Sequence, residues 1–132
     1  MIVTVVIPVT PSKLLAPNKA RTVHYLKKAD ASRAMRDLAL MPALAARHEA
    51  IGNLGGGPVF AGPVTLTERV VWGKGERRVD LSAIPSLCKP YEDALTDAQI
   101  WGDDAQVVRL IAEQGKAKDG IGFVELIVEG AE

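Results

Sequence analysis

The pattern of hydrophobic and polar positions divides the chain into four predicted strands and two predicted helices. Residues 2–9 are β-branched and almost continuously apolar, which is typical of a strand buried on both faces. Residues 64–72 alternate well enough to predict a half-buried strand. Two further strands are expected at roughly 105–113 and 121–129, joined by a turn at residues 118–120. The order strand, helix, strand, helix, strand, strand indicates an α+β layout, for which we expect a mixed sheet with two helices packed on it.

The first predicted helix begins at Asp30, an N-cap candidate. Pro42 is expected to kink this helix or to divide it into two, because proline removes a backbone hydrogen bond. The apolar stripe of the helix is expected to face the core. It consists of Met35, Leu38, Leu40, Met41 and Leu44.

The second predicted helix covers about residues 83–98. Ser82 is its expected N-cap, and Pro85 falls in the first turn, where proline is tolerated. Pro90 predicts a kink or a restart within this helix.

Residues 52–63 are rich in glycine and proline. They lack the Gly-Lys-Ser/Thr ending of a nucleotide-binding loop, and they precede a strand rather than a helix. We therefore interpret this segment as a flexible connector inside one domain that spans residues 1–132.

Composition excludes several classes of protein. At 132 residues the chain has room for one hydrophobic core. Its one cysteine, Cys88, excludes an internal disulfide framework and a cysteine-based zinc site. No apolar run approaches the ~20 residues that span a bilayer, and the first residues lack the features of a signal peptide. The sequence therefore predicts a soluble protein of the cytoplasm.

Charge is balanced overall but unevenly distributed. The formal net charge is zero, yet residues 1–50 carry eight basic and three acidic groups, and the remainder carries eight basic and thirteen acidic groups. Solvated helix faces explain such a split in many proteins. A basic half also permits a nucleic-acid partner, which a zero average would otherwise argue against.

Acidic residues flank the second predicted helix. Asp80 precedes the helix, and Asp103 and Asp104 follow it. Both groups can serve one site only if their loops turn toward the same edge. Adjacent carboxylates repel one another, and a hard divalent cation such as Mg²⁺ relieves that repulsion. The alternative is that Asp103 and Asp104 form a polar turn at the start of a strand.

Basic side chains lie between and beside these carboxylates. Lys89, on the predicted helix, is placed to offset charge that develops on a scissile phosphate, although a surface lysine fits the pattern equally well. Arg77 and Arg78 precede Asp80 and are candidates for contacts with flanking phosphates.

The most informative segment resembles the signature of the RusA-type Holliday junction resolvases. In that family an Asp-x-Asp-Asn group is followed by a lysine, an Asp-Ala-Leu sequence, an aromatic residue and Asp-Asp-x-Gln-Val. The opening of the chain is also similar, with Pro-x-x-Pro-Ser followed by Asn18 and Arg21-Thr22. The matching residues here are Asp80, Lys89, Asp93-Ala94-Leu95-Thr96, Trp101 and Asp103-Asp104-Ala105-Gln106-Val107-Val108.

The resemblance implies a small homodimeric endonuclease, often phage-encoded, that resolves four-way DNA junctions in recombination and repair. It implies Mg²⁺, with Mn²⁺ as a possible substitute, held by Asp80 and Asp104 with Asp103 in support. Lys89 would stabilise the transition state. The expected DNA-binding residues are Lys13, Asn18, Arg21, Lys74, Arg77 and Arg78.

One position departs from the family. Ser82, or Pro85 if an insertion is placed before it, stands where the second aspartate is expected, and the neutral hydroxyl of serine is a poor ligand for Mg²⁺. Glu92 or Asp93 on the following helix is the preferred replacement, and Glu76 is a second. A third interpretation is a site that binds metal weakly, in a protein that binds junctions without cutting them. Trp101 is expected either in the core or stacked on an unpaired base.

Overall fold

The computed structural model describes residues 1–15, 25–52 and 56–131, without the side chains of Leu14 and Tyr25. Short 3₁₀ turns at Lys13–Leu15, Leu81–Ala83 and Asp104–Gln106 precede or connect the main elements. The main elements are β1 (Ile2–Ile7), α1 (Tyr25–Ile51), β2 (Val64–Trp72), α2 (Ile84–Asp97), β3 (Val107–Lys116) and β4 (Phe123–Gly130).

The four strands form one mixed sheet in the order β1-β4-β2-β3. β4 pairs antiparallel with β1 and with β2, whereas β2 and β3 are parallel neighbours. Parallel neighbours require a crossover connection, which α2 provides. The expected single α+β domain, with a mixed sheet and two helices packed against it, is confirmed.

The strand register separates the sheet into two faces. On the face toward the helices, Glu68 of β2 lies between Leu126 of β4 and Ala112 of β3, and Leu126 in turn pairs with Val5. The rest of this face is largely apolar, and the side chains that alternate with it are partly or fully exposed. The core therefore lies on one side of the sheet.

Both helices run through their prolines. α1 continues through Pro42 and α2 through Pro90, so the predicted kinks did not divide either helix. Buried residues before and after Pro90 hold α2 on the sheet, and this packing offsets the missing backbone bond. Pro85 lies in the first turn of α2 as expected. No helix in the described part of the chain has the length and apolar character needed to cross a membrane.

The predicted helix starts were wrong. Asp30 lies inside α1, where it forms an exposed ion pair with Arg33. Ser82 lies in the 3₁₀ turn before α2, and the N-cap position belongs to Ala83, which makes no side-chain cap bond. The 3₁₀ turn at Leu81–Ala83 separates Ser82 from the start of α2.

The buried face of α1 is built from small residues. The residues of α1 that face the core include Met35, Ala39, Ala43 and Ala46. The small side chains of the three alanines let the helix approach the sheet closely. Leu38, Met41 and Leu44, which were expected in the core, are exposed. These three residues form an uncovered apolar surface on α1, the Leu38–Met41–Leu44 stripe.

The described part of the glycine- and proline-rich segment makes specific contacts. Val59 and Phe60 donate backbone hydrogen bonds to the carbonyls of Gln99 and Ile100, at 3.0 Å each. Phe60 is buried, and its backbone forms an isolated parallel β-bridge with that of Trp101. Residues 59–60 therefore hold the loop that follows α2.

Candidate functional site

The sheet topology places the two acidic segments at opposite ends of the β2–β3 pair. Asp80 follows the end of β2, near the end of β3, whereas Asp104 precedes the start of β3. α2 carries the chain from one end to the other. Among the described residues, no hydrogen bond or ion pair joins the Asp80 side chain to Asp104 or Lys89.

Lys89 is the centre of a polar cluster on α2. Its ammonium donates to Asp104 Oδ2 at 2.5 Å and lies 3.4 Å from Asp93 Oδ1. The hydrogen bond with Asp104 raises the pKa of Lys89, and the same bond lowers the pKa of Asp104. All three side chains are partly exposed, so the cluster is accessible from solvent.

A shallow cleft adjoins this cluster. Its lining includes Arg36, Asp93, Thr96, Gly102, Asp103 and Asp104. Arg36 is held on its rim by two hydrogen bonds of 2.6 Å to Asp97, the last residue of α2. The cleft is therefore predominantly acidic.

Asp103 has a structural role. Its side chain accepts the backbone N–H of Ala105 at 2.8 Å and caps the 3₁₀ turn. Gln106 completes the capping box, because its Oε1 accepts the N–H groups of Gly102 and Asp103. The Gln106 Nε2 donates to the carbonyls of Phe60 and Gly62. The alternative in which these residues form a polar turn therefore accounts for Asp103. The Asp104 carboxylate instead contacts the Lys89 ammonium.

A second glutamine fixes the loop that carries Asp80. The Gln114 Oε1 accepts from Trp72 Nε1 at 2.9 Å and from the Val79 N–H at 3.2 Å, and its Nε2 donates to the Val79 carbonyl at 2.7 Å. Asp80 itself is exposed and makes no side-chain cap bond. Its carboxylate is therefore available to a ligand.

Gln114→Leu tests this anchor. The substitution leaves the Val79 backbone groups and the buried Trp72 N–H without partners, so we expect the free energy of unfolding to fall by about 1–2 kcal/mol. Urea denaturation measures the change. The neighbouring exposed variant Glu113→Gln is the control, and an unchanged midpoint in Gln114→Leu would contradict the anchoring role.

The predicted DNA-binding residues differ in their surroundings. Lys74, Arg77 and Arg78 are exposed, and none of them forms an ion pair with a described residue. Lys13 donates to the Arg77 carbonyl at 2.6 Å and lies 4.8 Å from the ring centre of Trp72, so it supports the loop. Asn18 and Arg21 lie outside the described residues.

The candidates that could replace the missing aspartate differ in their contacts and in their exposure. Both Glu76 oxygens are engaged, one by the Gly73 N–H at 2.8 Å and the other by the Thr10 hydroxyl at 2.7 Å. Ser82 is exposed. Glu92 and Asp93 lie on α2 next to Lys89, whose ammonium contacts both Asp93 and Asp104.

Sequence reasoning missed one acidic residue, Glu68. It is fully buried, and neither of its carboxylate oxygens accepts a hydrogen bond from an N–H or hydroxyl group of a described residue. The carboxyl of Glu92 and the thiol of Cys88 face it from α2. Burial raises the pKa of Glu68 and that of Glu92. The available signal was a carboxylate at an inward position of an alternating strand, between Leu66 and Val70.

The remaining candidates belong to the core. Trp101 is fully buried and donates to Thr96 Oγ1 at 2.7 Å, so the base-stacking alternative is wrong and the core alternative is confirmed. Cys88 is buried as a free thiol. Burial raises the pKa of this thiol, which leaves it in its neutral form.

The donors suit a hard cation but are not preassembled into a complete cage. Among the described residues, no group of three or more His, Cys, Asp or Glu side chains is arranged to hold a metal ion. Carboxylate oxygens are nevertheless the donors that Mg²⁺ prefers, and one or two of them suffice when water and phosphate complete the shell. In the structure, the Lys89 ammonium neutralises Asp104.

The function of the chain has to be inferred from this geometry, because comparisons with known proteins do not identify a family. No protein-family model matches the chain, and no curated protein is significantly similar to it.

Proposed function

We propose that this protein is a Mg²⁺-dependent endodeoxyribonuclease of the RusA type that nicks four-way DNA junctions. The observation that carries the proposal is the contact of Lys89 with Asp104 and Asp93, next to an acidic cleft. The resemblance in sequence runs through the same three residues. An ammonium beside carboxylates is suited to phosphodiester hydrolysis, which needs a cation site and a charge that stabilises the phosphorane-like transition state.

The chain contributes four functions to this reaction. Asp104 would hold the cation, assisted by Glu92 or Asp93, whereas Asp80, the other predicted ligand, lies at the opposite end of the β2–β3 pair. Mg²⁺, when bound, activates water and polarises the phosphoryl oxygen. Lys89 exchanges its contact with Asp104 for the scissile phosphate. Asp103 keeps the loop of Asp104 in place.

Two basic surfaces are available to the DNA backbone. The exposed side chains of Lys74, Arg77 and Arg78 project from the loop before Asp80. A separate cleft between α1 and α2 is lined in part by Lys28, Ser32, Ser86 and Lys89, which are donors suited to phosphate oxygens. Because such contacts release counterions, the affinity for DNA should fall steeply with salt concentration.

A junction-binding protein without nuclease activity is the second candidate. Two observations favour it, namely the serine at position 82 and the ammonium of Lys89 on the Asp104 carboxylate. A metal must displace that ammonium before Asp104 becomes a ligand. This candidate keeps the DNA-binding surfaces and lacks the reaction.

Cleavage of an end-labelled four-way junction separates the two functions. The protein is incubated with the junction or with a matched duplex, in Mg²⁺ or in chelator. We expect junction-selective nicks that require Mg²⁺ and that are reduced in Asp104→Asn. Tight, salt-sensitive binding with no nicking in Mg²⁺ or Mn²⁺ would support the binding protein instead. Equal binding to junction and duplex would contradict both functions.

The proposed function also includes a homodimer, because a junction has two strands to nick. We assign the contact between the two copies to the Leu38–Met41–Leu44 stripe of α1. Large apolar side chains are uncommon on the outer face of a surface helix. The same stripe on a second copy, related by a two-fold axis, would cover it.

Met41→Lys should convert the dimer into a monomer. Met41 is 69% exposed in the single chain, so a charge there does not disturb the core but must be buried in the dimer. Sedimentation velocity at micromolar concentration measures the mass. Ile121→Lys is the control, since Ile121 is similarly exposed, at 68%, in the β3–β4 turn. A Met41→Lys protein that remains dimeric would rule out this interface.

A further inference from the structure

The buried carboxyl of Glu68 lies on an otherwise largely apolar face of the sheet. The side chain lies on the helix-facing side of β2, between Ala112 and Leu126, and it is fully buried. A carboxyl in such a position normally has a hydrogen-bond donor, because burial without one costs several kcal/mol. Neither oxygen of Glu68 accepts a hydrogen bond from an N–H or hydroxyl group of a described residue, and the groups within hydrogen-bonding reach are the Glu92 carboxyl and the Cys88 thiol. An apolar residue at this position would pack without that cost.

The groups that face Glu68 are also acidic. The carboxyl of Glu92 and the thiol of Cys88 approach it from α2. The nearest cation, Lys89, is already bound by Asp104 at 2.5 Å and Asp93 at 3.4 Å. Two carboxylates that face each other repel when both are ionised, unless a positive charge lies between them.

We propose that Glu68 and Glu92 hold a divalent cation, Mg²⁺ or Mn²⁺, between β2 and α2. Two carboxylates and water ligands are a sufficient shell for Mg²⁺. Glu92 is only partly buried, whereas Glu68 is fully buried on the inner side of the pair. The site is thus distinct from the Asp80 carboxylate at the far end of α2.

The neighbouring thiol restricts the type of cation. Cys88 is buried, and its environment favours the neutral thiol over the thiolate. Soft metals bind thiolates, while Mg²⁺ and Mn²⁺ favour carboxylate and water oxygens. The donor set of Glu68 and Glu92 therefore matches a hard cation.

This site also deepens the proposed nuclease function, and its part in cleavage rests on that function. Glu92 lies on the turn of α2 that carries Lys89 and Asp93, next to Asp104. A cation held by Glu68 and Glu92 would place its positive charge beside Lys89 and Asp104, without a ligand from the turn that carries Ser82. In this arrangement the lost aspartate is replaced from the sheet beneath the helix. Binding of the cation itself depends only on the two glutamates.

Mn²⁺ titration of the full chain without DNA tests the site. The paramagnetic resonance signal of free Mn²⁺ reports binding, and Mg²⁺ is added as a competitor. Changes in groups around a metal ligand alter affinity by about 10–100-fold, so loss of a ligand in Glu68→Gln should weaken binding by at least about ten-fold. Glu92→Gln should have the same effect. Glu113→Gln, an exposed carboxylate on the same sheet, should bind as the wild type does.

The outcomes are distinct. Unchanged Mn²⁺ affinity in Glu68→Gln would overturn the site and indicate a proton shared between the two carboxyls. If circular dichroism shows that Glu68→Gln does not fold, the partly exposed Glu92→Gln decides in the same way. Glutamate-dependent Mn²⁺ binding without nicking of any junction overturns the nuclease and leaves the cation site standing. Junction nicking that persists in a Glu68→Gln protein with weakened Mn²⁺ binding overturns the role of the site in cleavage.

Discussion

Asp104→Asn is expected to reduce the rate of junction nicking by about 10²–10³-fold, the range seen when one preorganised electrostatic group is removed from an active site. Asn keeps the size of the side chain but removes the negative charge that faces Lys89. The cation loses a ligand, and Lys89 loses its partner. Single-turnover cleavage of a labelled four-way junction at saturating protein measures the rate without a contribution from DNA binding.

Glu113→Gln is the matched control for this experiment. The Glu113 side chain is 45% exposed, as is that of Asp104, and it is also ion-paired, 3.5 Å from Arg69. It lies on β3 and outside the cluster. Its nicking rate should equal that of the wild type. Equal losses in both variants would show that the cause is a general change in charge, and full activity in Asp104→Asn would remove Asp104 from the reaction.

Gly122→Ala is expected to lower the free energy of unfolding by about 3 kcal/mol. A Cβ atom at this position would lie 2.6 Å from Thr10 Cγ2, 2.8 Å from the Gly73 nitrogen and 2.9 Å from Glu76 Oε1. Two of these atoms belong to the loop that leads to Asp80, and backbone cannot move aside as a flexible side chain can. Urea denaturation followed by circular dichroism gives the change in stability.

Gly115→Ala provides the comparison. Gly115 lies in β3, and a Cβ atom there would meet nothing within 4 Å. Its stability should change by less than about 0.5 kcal/mol, as is usual for exposed sites. If both alanine variants had the same stability as the wild type, the close contact between Gly73 and Gly122 would not constrain the loop.

The order of elements could be predicted from the sequence because each strand has a clear apolar pattern. The strand from Val64 to Trp72 was predicted with the bounds that the structure has. The span of α2 was predicted to within one residue at each end, but its N-cap and the start of α1 were not, since Ser82 lies in the 3₁₀ turn before α2 and Asp30 lies inside α1. The orientation of α1 was also hidden, because its alanines rather than its leucines face the core.

The cluster was predictable in part. Lys89, Asp93 and Asp104 were singled out, and they contact one another. Asp80 was expected with them, but spacing along the chain does not reveal that α2 separates the two loops. Glu68 was missed because it lies within a strand, where a single acidic residue is easily taken for a solvent-facing position. Only the register shows that it points toward α2.

The position of β4 has a consequence for the order in which the sheet can form. β1 is an edge strand whose pairing partner is β4, with Ile2 opposite Glu129 and Ile7 opposite Val124. During synthesis, β1 emerges first and must wait for more than a hundred residues before its partner exists. Pairings of such sequence separation are slow to form. The β2–α2–β3 unit, which contains the Lys89 cluster, can begin to assemble on the ribosome while β1 is still unpaired.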